Sequence, residues 1–245
     1  MTVNGLARRF WRLGIKIHLL WILAVVILAA WFGPPRLFEE TWQQVLVGLA
    51  VGGGLDVAVT WLKKRIVYVP QSGFITGLIV AIVLAPGSPL WQVAAAAAVG
   101  ILSKHLIRFE RRQVFNPAAV GLLAVIAFAG ATDGWWGDAT PWLIVLLGTF
   151  IITRTRKWPA VAGFLVSWIA VIALQAEGRI AAVLATLPLF FAAVMLIEPM
   201  TTPVRPRAQA AYGAATGIIA AGLPLVAALL AVNGLTAVIY WKGYR

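Results

Sequence analysis

The sequence predicts an all-α polytopic membrane protein of about ten transmembrane helices in two inverted five-helix repeats, both termini cytoplasmic. Three observations carry this: an apolar composition, a succession of apolar runs, and segregated basic residues. The 245 residues are 62% hydrophobic and 11% charged, with mean hydropathy +0.92, whereas ordinary globular domains carry about 25% charged residues. A chain this small cannot hide so much apolar surface and still cover itself with polar groups. A soluble enzyme, a disordered chain and a disulfide-stapled secreted domain are thereby excluded. Zero cysteines remove iron–sulfur, thiolate-metal and disulfide chemistry from these residues. Two histidines and eight acids leave little for a transition-metal or haem site.

The apolar runs fall at 15–32, 42–62, 69–86, 89–107, 114–130, 138–153, 158–175, 180–198, 208–221 and 223–241. Several are shorter than the roughly 20 residues of a simple spanning helix. The first, flanked by Trp21 and Trp31, lacks a small-residue cleavage site and is expected to be a retained anchor. The second holds Gly52-Gly53-Gly54-Leu55-Asp56. A carboxylate at that depth needs a reason, and Asp56 reads either as an ion-paired or capping group about two turns from Lys63 or as a proton or cation relay. Ser72 and Thr76 open the third span one turn apart on one face, and the span ends in Leu84-Ala85-Pro86-Gly87-Ser88-Pro89. The fourth closes on Lys104 and His105, the histidine expected to face the surface.

The basic run Arg108-Phe109-Glu110-Arg111-Arg112 leads to Asn116-Pro117 at the start of the fifth span. Pro117 removes a backbone donor, so Asn116 can present its amide to a buried polar ligand. Trp135 and Trp136 are expected in an interfacial belt on the outer side. The eighth span ends in Ile197-Glu198-Pro199-Met200-Thr201-Thr202-Pro203, with an arginine expected to pair with Glu198. The third and eighth spans thus break at corresponding places in two halves. Such matching breaks point to a central binding site, although proline also simply ends helices at a membrane surface.

Of the 20 Lys and Arg, 18 fall on one side: Arg8, Arg9, Arg12 and Lys16, then Lys63 to Arg65, Lys104, Arg108, Arg111 and Arg112. Arg154, Arg156, Lys157, Arg205, Arg207, Lys242 and Arg245 complete them. Arg36 and Arg179 lie opposite, with five of the eight acids (Glu39, Glu40, Asp133, Asp138 and Glu177). The positive-inside rule puts the basic loops and both termini in the cytoplasm of a prokaryotic cell, in its multi-pass inner membrane. The net charge of +12 is then a topology signal with some attraction to anionic lipid, and nucleic acid is not an expected partner. The whole chain, 1–245, reads as one membrane domain of two halves, 1–135 and 136–245.

The pattern Ser72-Gly73-Phe74-Ile75-Thr76-Gly77-Leu78 with Leu84-Ala85-Pro86 resembles the third span of a known family, the NqrB/RnfD family. Its members are membrane subunits of the sodium-translocating NADH:quinone reductase and of the Rnf electron transport complex. Ser103-Lys104-His105 followed by Val114-Phe115-Asn116-Pro117-Ala118-Ala119 is similar to its Gly-Lys and Phe-Asn-Pro-Ala signature. Phe190-Phe191 with Glu198-Pro199 and Thr201 resembles its Phe-x-x-Thr-Asp-Pro-x-x-Ser segment, Glu198 replacing the aspartate. Tyr212-Gly213-Ala214 and Asn233 fit its last two spans, so the likeness runs over roughly 15–242.

The resemblance implies a flavin-carrying member of a larger redox complex, not an autonomous enzyme. It would pass electrons across the membrane between a cytoplasmic donor and an extracytoplasmic or quinone acceptor, with other membrane and peripheral redox subunits as partners. Ion translocation would accompany that transfer, with Asp56 and Glu198 as relay candidates. The residues carried over for non-covalent riboflavin or FMN are Ser72, Thr76, Lys104, Phe115, Asn116, Pro117, Glu198 and Thr201. Relatives attach FMN to the threonine of a Ser-Gly-Ala-Thr motif, matched here by Ala129-Gly130-Ala131-Thr132. Thr132 is expected still within or just leaving the fifth helix, and to carry no covalent FMN. The rival reading is an inverted-repeat channel or secondary transporter without redox cofactor; a third is a membrane anchor whose basic loops dock a soluble redox protein.

Overall fold

The computed structural model describes residues 13–33, 36–109, 112–177 and 179–243. Arg8, Arg9, Arg12, Glu110, Arg111 and Arg245, and the side chain of Lys242, lie outside the described residues. The helices are α1 Ile15–Trp31, α2 Leu37–Lys64, α3 Gln71–Val83, α4 Leu90–Leu106, α5 Pro117–Ala129, α6 Pro141–Thr155, α7 Trp158–Gln175, α8 Ile180–Ala185, α9 Pro206–Ala220 and α10 Leu225–Gly243. Each begins or ends within a few residues of an apolar run, except that the eighth run is interrupted. Among the described residues, α2 and α7 are long and apolar enough to cross a membrane alone. Six other apolar helices run 10–17 residues.

Small residues set the helix pairs. A side chain at Gly77 of α3 would run into the Gly48 carbonyl of α2, and one at Gly52 would stand 2.5 Å from the Gly73 carbonyl. Repeats at four-residue spacing let two backbones touch, the packing that apolar bundles use where lipid offers no hydrophobic drive. The same device joins α7 to α9, where a Cβ on Gly213 would collide with the Ala160 carbonyl. Helix α2 also packs on α4, α4 on α5, α1 on α6, and α5 on α10.

Two stretches leave the α-helical path inside the protein. Helix α3 has 13 residues, about 20 Å at 1.5 Å per residue, short of an approximately 30 Å core. Beyond it Leu84 turns extended and bridges Asp133. Its neighbours are satisfied within the protein: Ala85 N–H donates to Thr132 O at 3.0 Å, Gln44 Nε2 to Ala85 O at 3.0 Å, and Gly134 N–H to Val83 O at 2.8 Å. Non-helical backbone is tolerated at such depth when protein supplies the partners. The second departure follows α8. Phe190 N–H donates to Asp138 Oδ1 at 2.7 Å, then Phe191–Met195 winds as a π segment with Leu196 N–H reaching Phe191 O. Such π turns concentrate at functional places.

Three expectations are corrected. Trp136 is no belt residue: it is buried in a short 3₁₀ turn, and its Nε1 donates to Ala81 O at 2.9 Å. Trp135 is half-buried, bonded to Asp133 and edge-on to Phe191. Thr132 has left the helix: α5 stops at Ala129, Gly130 caps it in the left-handed region, and Thr132 is exposed in the loop beyond. The basic run expected only as a loop forms a two-residue-per-strand hairpin, with Arg108 opposite Gln113 and Phe109 opposite Arg112.

Candidate functional site

One cavity of about 630 Å³ opens between the ends of several helices. Its buried walls include Ile79, Thr76, Pro117, Ala118, Ile151, Val194 and Ile197, from α3, α5, α6, the π segment and the turn after it. Exposed residues at its edge include Lys16, Lys64, Ile66, Tyr68, Arg108 and Met200. Of the residues singled out by sequence, Asp56, Ser72, Thr76, Lys104, Asn116, Pro117 and Glu198 all line it. Phe115 instead packs its ring near Gly234 of α10. Thr201 is buried beside the cavity, bonded to Glu198. Thr132 sits at the opposite end of α3, about 20 Å away by helix length.

The polar groups form two networks. In the first, Lys104 Nζ lies 2.7 Å from Asp56 Oδ1 and donates to Ser72 Oγ at 3.1 Å. His105 Nε2 lies 3.0 Å from the same Asp56 oxygen. This corrects the surface placement of His105: the end of α4 turns its imidazole inward toward α2. The partner of Asp56 is thus Lys104, while Lys63 Nζ donates to the His105 carbonyl at 3.2 Å. Asp56 Oδ2 is buried without a donor at bonding distance, with the Tyr68 hydroxyl turned toward that carboxylate. Burial raises the Tyr68 phenol above its ordinary value, and Asp56 adds to the rise.

The second network runs through Asn116, which is 3% exposed. Its Oδ1 caps α5 by accepting from Ala119 N–H at 3.1 Å, and its Nδ2 donates to Met195 O at 3.2 Å. Its backbone N–H donates to Asn233 Oδ1 at 2.9 Å, and Asn233 Nδ2 donates to the Tyr212 hydroxyl at 2.7 Å. The Asn116 amide therefore fixes the wall, holding the α5 terminus to the π segment, and the cavity meets the edge of that arrangement. The carboxylate of Glu198 accepts from Thr201 Oγ1 at 3.3 Å where an arginine was expected; Arg112 turns to the Pro199 carbonyl at 3.1 Å. Lys157 ties the following turn, donating to Thr202 O at 3.3 Å and Pro203 O at 2.7 Å. Burial, with Arg112 nearby, lowers its ammonium to about 8.

Sequence reasoning missed Gln113, whose Oε1 is buried without a partner on the cavity wall. It also missed Tyr68. Their only signal was proximity in sequence to Pro70-Ser72 and to Asn116. Among the described residues no group of three or more His, Asp or Glu is placed to hold a metal ion.

The model of the NQR2, RnfD, RnfE family matches residues 7–140. The chain is similar to the NqrB component of the Na(+)-translocating NADH-quinone reductase of Pseudomonas paraeruginosa, 25% identical over 204 residues, covering 61% of this chain and 50% of that protein. It is also similar to the RnfD component of the ion-translocating oxidoreductase complex of Actinobacillus pleuropneumoniae, 27% identical over 122 residues, covering 48% and 35%. The corresponding Actinobacillus succinogenes protein is 32% identical over 97 residues, covering 38% and 27%. The chain spans about half the length of the NADH-quinone reductase relatives it matches. The family match ends at residue 140, so the likeness of Phe190–Thr201, Tyr212 and Asn233 rests on those motifs themselves.

Proposed function

The chain belongs to the NQR2, RnfD, RnfE family, and on that premise we propose that it is a flavin-carrying membrane component of an ion-translocating oxidoreductase complex. It holds riboflavin or FMN non-covalently in the cavity lined by α1 to α6 and the π segment, and passes electrons across a prokaryotic inner membrane. The single observation that carries this is the cavity itself, which brings seven separately chosen polar or proline positions onto one apolar wall. About 630 Å³ lies within the roughly 300–1,000 Å³ of small-molecule sites. A flavin is an apolar tricycle with polar edges, and the buried acceptor Gln113 Oε1 suits an imide N–H. When bound, the flavin supplies one- and two-electron chemistry.

The chain's own residues would do three things. Thr76, Pro117, Ala118 and Val194 exclude water from the ring. Lys104, held by Asp56 and Ser72, keeps a positive charge at the wall, where charge near a flavin tunes its potential. Asp56 and Glu198, two carboxylates on the same wall, are the candidates for an accompanying cation or proton.

The ten-span, inverted-repeat arrangement with both termini cytoplasmic belongs to the same proposal. It is supported by like pairings in the halves 1–135 and 136–245: α2 on α4 and α7 on α9, with a broken third member in each. The basic loops also converge, since the contacts Lys63–His105, Arg112–Pro199 and Lys157–Thr202 all lie at the cavity's end of the bundle. The test is to purify the chain from native membranes, record its visible spectrum and identify the proteins that co-purify. A yellow protein releasing flavin on denaturation is expected. A colourless protein that moves a small solute in liposomes would replace the electron-transfer reading with a transporter.

A further inference from the structure

We propose that residues 66–69, the apolar link between α2 and α3, are a docking edge to which a partner subunit adds one acid-bearing β-strand. The proposal rests on the reading that the chain works inside a larger complex, and it holds whichever ligand fills the cavity.

From residue 65 to 70 the chain runs without helix, turn or bend. Its side chains alternate: Ile66 and Tyr68 line the cavity, whereas Val67 and Val69, 75% and 68% exposed, do not. That two-residue period is a strand's, and the segment contains no charge, glycine or proline to discourage pairing. Yet among the described residues its four N–H groups have no hydrogen-bond acceptor, and only the last of its carbonyls is used, Val69 O accepting from Gln71 N–H at 2.8 Å. Depth decides what can cover it. Trp42 and Trp61 of α2 stand 19 positions apart, about 28 Å of helix against a hydrocarbon core of about 30 Å. Thr60 Oγ1 donates to the Tyr68 hydroxyl at 3.5 Å, so the segment lies level with Trp61, at the margin of that core in the proposed orientation. Acyl chains offer peptide groups no partner, and non-helical backbone is tolerated at such depth only against protein or a water-filled cavity. The cavity serves the Ile66 and Tyr68 face; the Val67 and Val69 face calls for protein. Charge then selects the protein. Lys64 and Arg65 lead into the segment, both exposed, with no carboxylate within 4 Å among the described residues. Residues 57–69 hold no acid, so a second copy of this chain would set like charges beside the same strand. A strand from another chain, with carboxylates at the end that meets Lys64 and Arg65, pairs the backbone and balances the charge.

The test places photoreactive p-benzoylphenylalanine at Val67, at Val69 and, as a control, at Leu174, which is 81% exposed. Native membranes holding each variant are irradiated and the cross-linked residues mapped by mass spectrometry. In parallel, amide hydrogen exchange over 66–69 is compared between the chain purified alone in detergent and the chain purified with its co-purifying proteins. Val67 and Val69 should link to one acid-bearing stretch of a single other protein, at positions two residues apart, and Leu174 should not. Exchange at alternate amides should slow by about 5- to 10-fold with the partner bound, as one net backbone hydrogen bond gives. Lys64→Glu/Arg65→Glu should cut the cross-linking yield several-fold, and Lys64→Arg should retain it; equal thermal midpoints without partner check that the variants are folded. Links only to lipid, to a second copy or to a basic stretch would overturn the docking edge while leaving the complex standing, as would unchanged exchange with partners bound. Absence of any co-purifying protein would overturn both.

Discussion

The Asn116 Nδ2 donates to the carbonyl of Met195 at 3.2 Å across 79 positions of chain, tying the first turn of α5 to the π segment. One side chain thereby satisfies a helix N-terminus with its oxygen and an interrupted helix with its nitrogen. Replacing Asn116 by Leu keeps the volume and removes both bonds. The loss of the cap and an unpaired buried carbonyl should together cost about 2–4 kcal/mol. The thermal midpoint followed by fluorescence size-exclusion should fall by several degrees, and flavin occupancy should fall with it. Asn116→Asp retains the cap acceptor alone and should lie between. Full occupancy and an unchanged midpoint in Asn116→Leu would refute the role.

The Asp56–Lys104 pair predicts strong coupling. Both side chains are buried, at 0% and 6% exposure, and removing one partner strands the other's charge, typically at a cost of about 3–5 kcal/mol. Lys104→Met and Asp56→Asn should each destabilise sharply. The double replacement should cost much less than their sum, as read in a double-mutant cycle of denaturation midpoints. Additive losses would show that the two groups do not act as a pair.

Glycine positions divide cleanly. Gly77→Leu must force α3 away from the Gly48 carbonyl, and loss of the folded monomer peak is expected. Gly54, next to the crowded Gly53 on α2, has nothing within 4 Å of where a methyl group would stand. Gly54→Ala should therefore be tolerated or stabilise by about 0.5–1 kcal/mol through helix propensity. Equal sensitivity at Gly77 and Gly54 would contradict the close α2–α3 approach.

Lys157 makes stability depend on pH. Its pKa drops from an ordinary 10.5 to about 8 on folding, so the unfolded chain holds the proton more tightly than the folded one. Between about pH 8 and 10.5 the unfolded state then binds more protons, and stability should rise with pH across that window. Below about pH 8 the whole cost of burying the charge is carried. Lys157→Met should flatten this rise while unpairing the Thr202 and Pro203 carbonyls. Parallel pH profiles for wild type and variant would show that Lys157 does not titrate there.

Because the sequence contains no cysteine, single replacements report sidedness without background. Arg65→Cys and Thr132→Cys are both exposed and lie at opposite ends of the bundle. An impermeant maleimide added to intact cells should label Thr132→Cys and leave Arg65→Cys unlabelled until the membrane is opened. Labelling of both from outside would break the proposed orientation.

The helices were legible because lipid-facing and buried residues are both apolar, so each run is nearly continuous and proline or charge marks its ends. Ser72, Thr76, Asn116, Pro117 and Glu198 were legible for a related reason: a polar group or helix breaker inside an apolar run stands out. Which way they point was not. Asn116 reads in sequence as offered to a ligand, whereas its acceptor and donor are engaged by Ala119 and Met195, and nothing in the local pattern announces a partner 79 positions away. His105 ends an apolar helix, where one residue of rotation separates the surface from Asp56. Trp136 shares the composition of an interfacial belt, and only the Ala81 carbonyl marks it as core. The hairpin at Arg108–Gln113 was hidden because two paired residues per strand are too few to show alternation.

The shortness of α3 has an electrical consequence. The cavity reaches as far as Ile79, while α3 ends at Val83 and its extended continuation meets Thr132 near the opposite end. In the proposed membrane orientation, solvent and ions entering the cavity leave an insulating layer beneath its floor that is thinner than the surrounding bilayer. A membrane potential then falls over this plug and not over the full thickness, so the local field is steeper there. A charge crossing from the cavity floor to the far side does work of about 2.3 kcal/mol per 100 mV, nearly the whole of it within a few turns of helix.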